Sequence, residues 1–259
     1  MTSDIQTLIN NLPHILIPAI EDASRSTSSD AYTTFFKDIT YAPYVHNILY
    51  NISTGAPLPS NANGIPAASP GIFCLTGLGQ VIEGSQEQPG QDFYSKCLEM
   101  DAFAMARVES SSAHLVFLCP RFWTQPAIPG RVKGACLTVL PHFNRFKQDG
   151  GSLLGYRIWV LLHELVHHYI YETSGTEDDF YSVNECAALS ASAAVENAQN
   201  FVFYVANVWA GCTDFPKPRR PGGDIELLET ERNSTFTDGN AVHGNVTVLV
   251  NGTQNSTGL

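Results

Sequence analysis

The chain has 259 residues, of which 44% are hydrophobic and 15% charged, and its formal net charge is −11. This length and composition can bury a substantial core, as one large domain or two closely packed lobes. The acidic balance argues against nucleic acid or an anionic membrane as the main partner, and no stretch is long and apolar enough to span a bilayer. We expect a globular monomer.

The N-terminal part of the chain is predicted to be a helical lobe followed by a linker, together residues 1–70. Apolar residues recur at helical spacing between residues 4 and 50. Residues 55–71 are rich in Gly, Pro, Ser and Asn, which favours a loop. No signal peptide is recognisable at the start, because Pro13 and Pro18 interrupt the apolar stretch there.

The next part changes to short apolar or alternating runs, which predict strands at 71–75, 102–108, 114–118 and 135–140. Four of the six cysteines fall in this part, at positions 74, 97, 119 and 136. We therefore expect a small sheet tied by disulfides. The cysteines and the five N-x-[ST] sequons, at Asn51, Asn233, Asn245, Asn251 and Asn255, are typical of a secreted protein.

An apolar run at residues 156–171 carries His-Glu-Leu-Val-His at 163–167. On a helix His163 and His167 project from the same face and can hold one metal ion, while Glu164 is placed to take a proton from metal-bound water. Two core histidines without a metal are the structural alternative, but burying these groups among apolar residues is costly without partners. Residues 150–152 are expected to start this helix, and Gly175 to stop it. The pattern predicts a zinc hydrolase helix.

Beyond this helix the sequence predicts a polar turn, a long helix over Asn184–Ala210, and a sequon-rich tail at 213–259 that is peripheral and partly disordered. Residues 71–212 would then form the catalytic region. A catalytic zinc needs a third protein ligand. Asp178 and Glu185 are both placed to supply it, and their spacing from His167 does not separate them.

Three motifs together resemble those of the deuterolysin family of fungal metallo-endopeptidases, the aspzincins. These are His-Glu-x-x-His at 163–167, Gly-Thr-Glu-Asp-Asp-Phe-Tyr at 175–181, and Ala-Val-Glu-Asn-Ala-Gln-Asn-Phe at 194–201. The resemblance implies an α+β, zincin-like fold with one Zn²⁺ per chain. It also implies zinc ligands at His163, His167 and Asp178, a general base at Glu164, and an oxyanion donor at Tyr181.

The chain departs from the family pattern at two positions. Ser182 stands where the family turn ends in Gly, and Gln199 stands where lysine-specific members carry Asp. The resemblance implies that Gln199 faces the substrate side chain just after the cleaved bond. A neutral amide cannot pair with an ammonium group as a carboxylate does, so we expect no strict lysine preference.

The sequence therefore predicts a secreted zinc endopeptidase that acts on protein or peptide substrates. One alternative is a catalytically inactive secreted binding or effector protein on the same scaffold. Another is a gluzincin-type protease in which Glu185 is the third ligand. The presence of Glu164, Asp178 and Tyr181 favours the enzyme.

Overall fold

The computed structural model describes residues 2–25, 29–57, 70–75, 93–99, 104–108, 114–128, 156–170, 180 and 183–211. Within these ranges the α-helices are α1 (Thr2–Ala23), α2 (Asp30–Phe35), α3 (Ala42–Thr54), α4 (Phe93–Glu99), α5 (Arg157–Ile170), α6 (Val183–Ala188), α7 (Ala191–Ala194) and α8 (Ala198–Ala210). Short 3-10 turns lie at Ile39–Tyr41 and Pro120–Thr124. The fold is mostly helical with a small sheet.

The sheet has three strands in the described residues, β1 (Gly71–Cys74), β2 (Ala104–Val108) and β3 (His114–Leu118). The central strand is β3, which pairs parallel with β1 and antiparallel with β2. Three of the four expected strands are thus confirmed, and the fourth, at 135–140, lies outside the described residues. Residues Leu115 to Leu118 are all buried, as expected for a central strand covered on both faces.

A disulfide joins Cys97 in α4 to Cys119, the residue directly after β3, with a Cα–Cα distance of 5.5 Å. It links the helix to the end of the central strand. A small apolar cluster surrounds it, formed by Phe73, Leu75, Leu115 and Phe117 with the two sulfur atoms. Cys136 and Cys212 lie outside the described residues.

The expected N-terminal helices are confirmed. Helix α1 buries one stripe, formed by Ile5, Leu8, Leu12, Ile15, Leu16 and Ala19, at the spacing of one helical face. Helix α3 ends at Gly55, whose φ of 62° is left-handed and suits a residue without a Cβ. Tyr32 and Phe36 pack edge to face on Tyr204 of α8.

One continuous core contains residues from the N-terminal helices, the sheet and the later helices. Helix α8 contacts α1, α2 and α5, and α5 also contacts α3 and β2. This arrangement surrounds α5 with apolar neighbours on several sides. No helix among the described residues is both long and apolar enough to cross a membrane.

The prediction of one long helix over Asn184–Ala210 is wrong, because this segment forms three helices. Ser190 starts α7, and its hydroxyl accepts a hydrogen bond from the Ala193 amide. Asn197 then precedes α8 with extended φ and ψ of −98° and 112°. The Asn197 side chain makes no capping bond to α8. Both breaks nevertheless place a short polar residue directly before a helix, where Ser and Asn are common.

The other expectations lie outside the described residues. They are the helix entry at 150–152, the stop at Gly175 and the tail at 213–259. The division into a lobe at 1–70 and a catalytic region at 71–212 stays a prediction.

Candidate metal centre

Helix α5 carries the His-Glu-x-x-His motif in the middle of the core. Its first two amides are paired, since Arg157 N–H donates to the Pro126 carbonyl and Ile158 N–H to the Ala127 carbonyl. Eleven of its fourteen residues are buried, including His163, Glu164 and His168. A helix this enclosed holds its side chains in fixed positions, which is what a metal site requires.

The far end of α5 is tied to the N-terminal helices. The Tyr169 hydroxyl donates to the Ala56 carbonyl at 2.6 Å, just after α3 ends. Burial raises the pKa of Tyr169, so its phenol stays a protonated donor across the physiological range. This bond keeps the last turn of α5 in place beside His167.

The two histidines of the motif point one ring nitrogen, Nε2, towards each other. His163 Nε2 lies 3.1 Å from His167 Nε2, and the rings are 4.7 Å apart and nearly perpendicular. His163 is 4% exposed, whereas His167 is partly exposed. The pair therefore lies at the edge of the core, with His163 on the buried side and His167 on the side that solvent can reach.

The other nitrogen of His163 faces Gln199 in the first turn of α8. Its Nδ1 lies 2.9 Å from Gln199 Oε1, and the contact is buried. An amide oxygen only accepts hydrogen bonds, so Nδ1 carries the proton and donates it. In a neutral imidazole Nε2 then holds a lone pair, and this lone pair points to His167.

This donor set fits a zinc ion. Two nitrogens that each bind one tetrahedral zinc at about 2.0–2.1 Å lie roughly 3.3 Å apart, close to the 3.1 Å between His163 Nε2 and His167 Nε2. A hydrogen bond from Nδ1 that leaves the lone pair on Nε2, as in His163, is also typical of zinc-binding histidines. The residues present are therefore suited to hold the metal.

Glu164 is the residue next to His163 on α5, and its side chain is 8% exposed. Its carboxylate is therefore largely withdrawn from bulk water, on the helix that carries the histidine pair.

The remaining predicted site residues divide into two groups. Asp178 and Tyr181 lie outside the described residues. Glu185 is described and is exposed on α6, and within the described ranges no group of three His, Cys, Asp or Glu residues forms around a common point. In the described part of the chain His163 and His167 converge, and Glu185 does not form a group of three with them.

Gln199 was expected to face the substrate. The structure places its side chain in the core, 0% exposed, with the amide oxygen on His163. It lies in the same first turn of α8 as Asn200, which is also fully buried. The apolar character of the surrounding sequence is the one signal that could have indicated buried amides here.

A buried network around Asn197 and Asn200 was not predicted from the sequence. Asn197 Nδ2 donates to Asn200 Oδ1 at 2.7 Å and to the Phe180 carbonyl at 3.2 Å. Asn200 Nδ2 donates to the carbonyls of Phe35 and Cys186, at 2.8 and 3.0 Å. The network fixes Phe180, the residue directly before Tyr181, to the start of the helix that carries Gln199.

We expect Asn200→Ala to lower the free energy of unfolding by about 2–4 kcal/mol, because it leaves several buried backbone and side-chain groups unpaired. Denaturant unfolding measures the change. Asn10→Ala is the matched control, since Asn10 is exposed on α1 and accepts a hydrogen bond from Gln6. We expect this variant to change the free energy of unfolding by no more than about 0.5 kcal/mol. Equal effects of the two substitutions would contradict the structural role of the network.

Comparisons with known proteins give distant structural likenesses and no match by sequence. No family model matches the chain, and no curated protein matches it. Among solved structures, the chain is similar to a zinc peptidase from Grifola frondosa, at 16% identity and a TM-score of 0.45 over 80% of this chain and 94% of that one. This likeness is too distant to assign a family. The functional argument therefore rests on the residues of the site.

Proposed function

We propose that this protein is a secreted zinc-dependent endopeptidase. The observation that carries the proposal is the convergence of His163 Nε2 and His167 Nε2 to 3.1 Å within a buried His-Glu-x-x-His helix. The motif pairs two metal ligands with an adjacent carboxylate, and this combination serves the hydrolysis of peptide bonds. The disulfide between Cys97 and Cys119 supports an extracellular location, where such bonds persist.

His163, His167 and Asp178 would hold one zinc ion per chain. When bound, zinc acts as a Lewis acid that lowers the pKa of water and polarises the substrate carbonyl. The first two ligands are in the described residues, and Asp178 is assigned by the resemblance of residues 175–181 to the aspzincin turn.

In the proposed reaction Glu164 takes a proton from the attacking water and delivers it to the nitrogen of the leaving amine. The carboxylate that follows the first histidine of this motif is the group suited to both steps, and Glu164 is buried on that helix. Tyr181 would donate a hydrogen bond to the oxygen on which negative charge develops during attack. The bond that forms is carbon to water oxygen, and the bond that breaks is carbon to amide nitrogen.

A protease assay on a denatured protein mixture, with and without a zinc chelator, tests this function. We expect cleavage that the chelator abolishes and that added zinc restores, since the ion supplies the activation of water. Mapping the cleaved bonds tests specificity, and we expect cuts that are not confined to bonds preceding Lys. Zinc binding without any hydrolysis would instead favour an inactive binding protein on this scaffold.

A further inference from the structure

The contact between Gln199 and His163 links two helices that are distant in the sequence. Gln199 Oε1 accepts the proton of His163 Nδ1 at 2.9 Å, in a place where Gln199 is 0% and His163 4% exposed. Water therefore does not compete for this bond. This hydrogen bond fixes the proton of the imidazole on Nδ1.

The other polar atom of the same amide is its nitrogen, Nε2, which makes no hydrogen bond in the described part of the chain. This nitrogen is also buried. A buried unpaired amide group is unfavourable. The amide is buried here despite this unfavourable energy, and its oxygen keeps the hydrogen bond to His163. The contact with His163 therefore accounts for the position of the side chain.

The consequence for the site follows from the tautomer. With the proton on Nδ1, the lone pair of His163 lies on Nε2, 3.1 Å from His167 Nε2. With the proton on Nε2 instead, His163 could not bind a metal on the side that faces His167. The hydrogen bond from His163 to the Gln199 amide thus determines whether His163 Nε2 can bind a metal ion on the side that faces His167.

We propose that Gln199 is a positioning residue for the metal site: it holds His163 in the Nδ1–H tautomer and so turns Nε2 towards the ion. This inference rests on the zinc site of the proposed function, but not on hydrolysis. It gives Gln199 a role on the protein side of the metal, in place of contact with the substrate.

The neutral amide has a further effect. A carboxylate at this position would add a negative charge beside His163 and raise the basicity of the ligand, which strengthens metal binding. Gln199 orients the ring without adding that charge. Gln199→Glu is therefore expected to keep the hydrogen bond and to bind zinc as tightly as the original protein or more tightly.

The test measures zinc affinity by competition with a chromophoric chelator on the purified full chain. Gln199→Met keeps the size of the side chain and removes the acceptor, and we expect zinc binding weaker by about 10–100-fold, the usual effect of losing an outer hydrogen-bond partner. Gln199→Glu should restore it. Asn207→Leu is the matched control, because Asn207 is also a buried amide on α8. It lies about 12 Å from Gln199 along the helix axis. The zinc affinity of this variant should stay within about threefold of the original.

The second measurement needs no substitution. The nitrogen-15 chemical shifts of His163 in the metal-free protein report its tautomer, and we expect the proton on Nδ1. A proton on Nε2, or an unchanged zinc affinity in Gln199→Met, would overturn the proposal. A protein that binds zinc with these dependences and cleaves nothing would contradict the peptidase activity and leave the role of Gln199 intact.

Discussion

Replacing Glu164 with Gln is expected to lower peptide hydrolysis by about 10²–10⁴-fold while one equivalent of zinc stays bound. The amide has the size of the carboxylate, so the packing around this buried side chain is kept. It cannot take a proton, however, so the water is no longer activated and the leaving amine receives no proton. The two histidine ligands are unchanged.

The measurement pairs kcat/KM on a peptide substrate with zinc content by mass spectrometry of the metal. Glu21→Gln is the matched control, since Glu21 is exposed on α1, and it should retain full activity. Retention of most of the activity in Glu164→Gln would contradict the role of Glu164 as the base. Loss of zinc along with activity would indicate instead that Glu164 contributes to metal binding.

The histidine pair could be predicted from the sequence because the two residues are close together in the chain. His163 and His167 are one helical turn apart, and the apolar residues around them show a helical period, so the sequence indicates the shared face directly. In the structure these residues lie on α5, with the two Nε2 atoms 3.1 Å apart. The three described strands were predicted for the same reason, as short apolar runs between turns.

The partners of these residues could not be predicted, because they depend on contacts between distant segments. Gln199 reaches His163 from a separate helix, and Asn200 reaches the carbonyl of Phe35 near the N-terminus. Hydropathy treats an amide as a surface group, whereas here each amide is buried against an acceptor or donor that only the folded chain supplies. Asn197 is also the residue at which the predicted long helix is interrupted, because its backbone is extended there.

Replacing Asp178, the proposed third zinc ligand, is the second substitution with a large expected effect. We expect Asp178→Ala to weaken zinc binding by more than the roughly 10–100-fold that loss of an outer partner causes, and to abolish hydrolysis. Asp178 is two residues before Phe180, so at most about 7 Å of chain separates their Cα atoms. Phe180 is held by Asn197, two residues before the glutamine that contacts His163. Phe180 is thus connected through Asn197 to the helix turn that contacts His163, which supports Asp178 as the proposed ligand.

Two matched substitutions distinguish Asp178 from its competitors. Glu185→Ala tests the gluzincin alternative and should keep zinc, because Glu185 is exposed on α6 and does not group with the histidines in the described part of the chain. Asp179→Ala tests the neighbouring turn acid and should also keep zinc. Zinc content and chelator competition on the three variants decide the ligand. Loss of zinc only in Glu185→Ala would assign the third ligand to Glu185, and retention in Asp178→Ala would show that the aspzincin turn does not bind the metal in this protein.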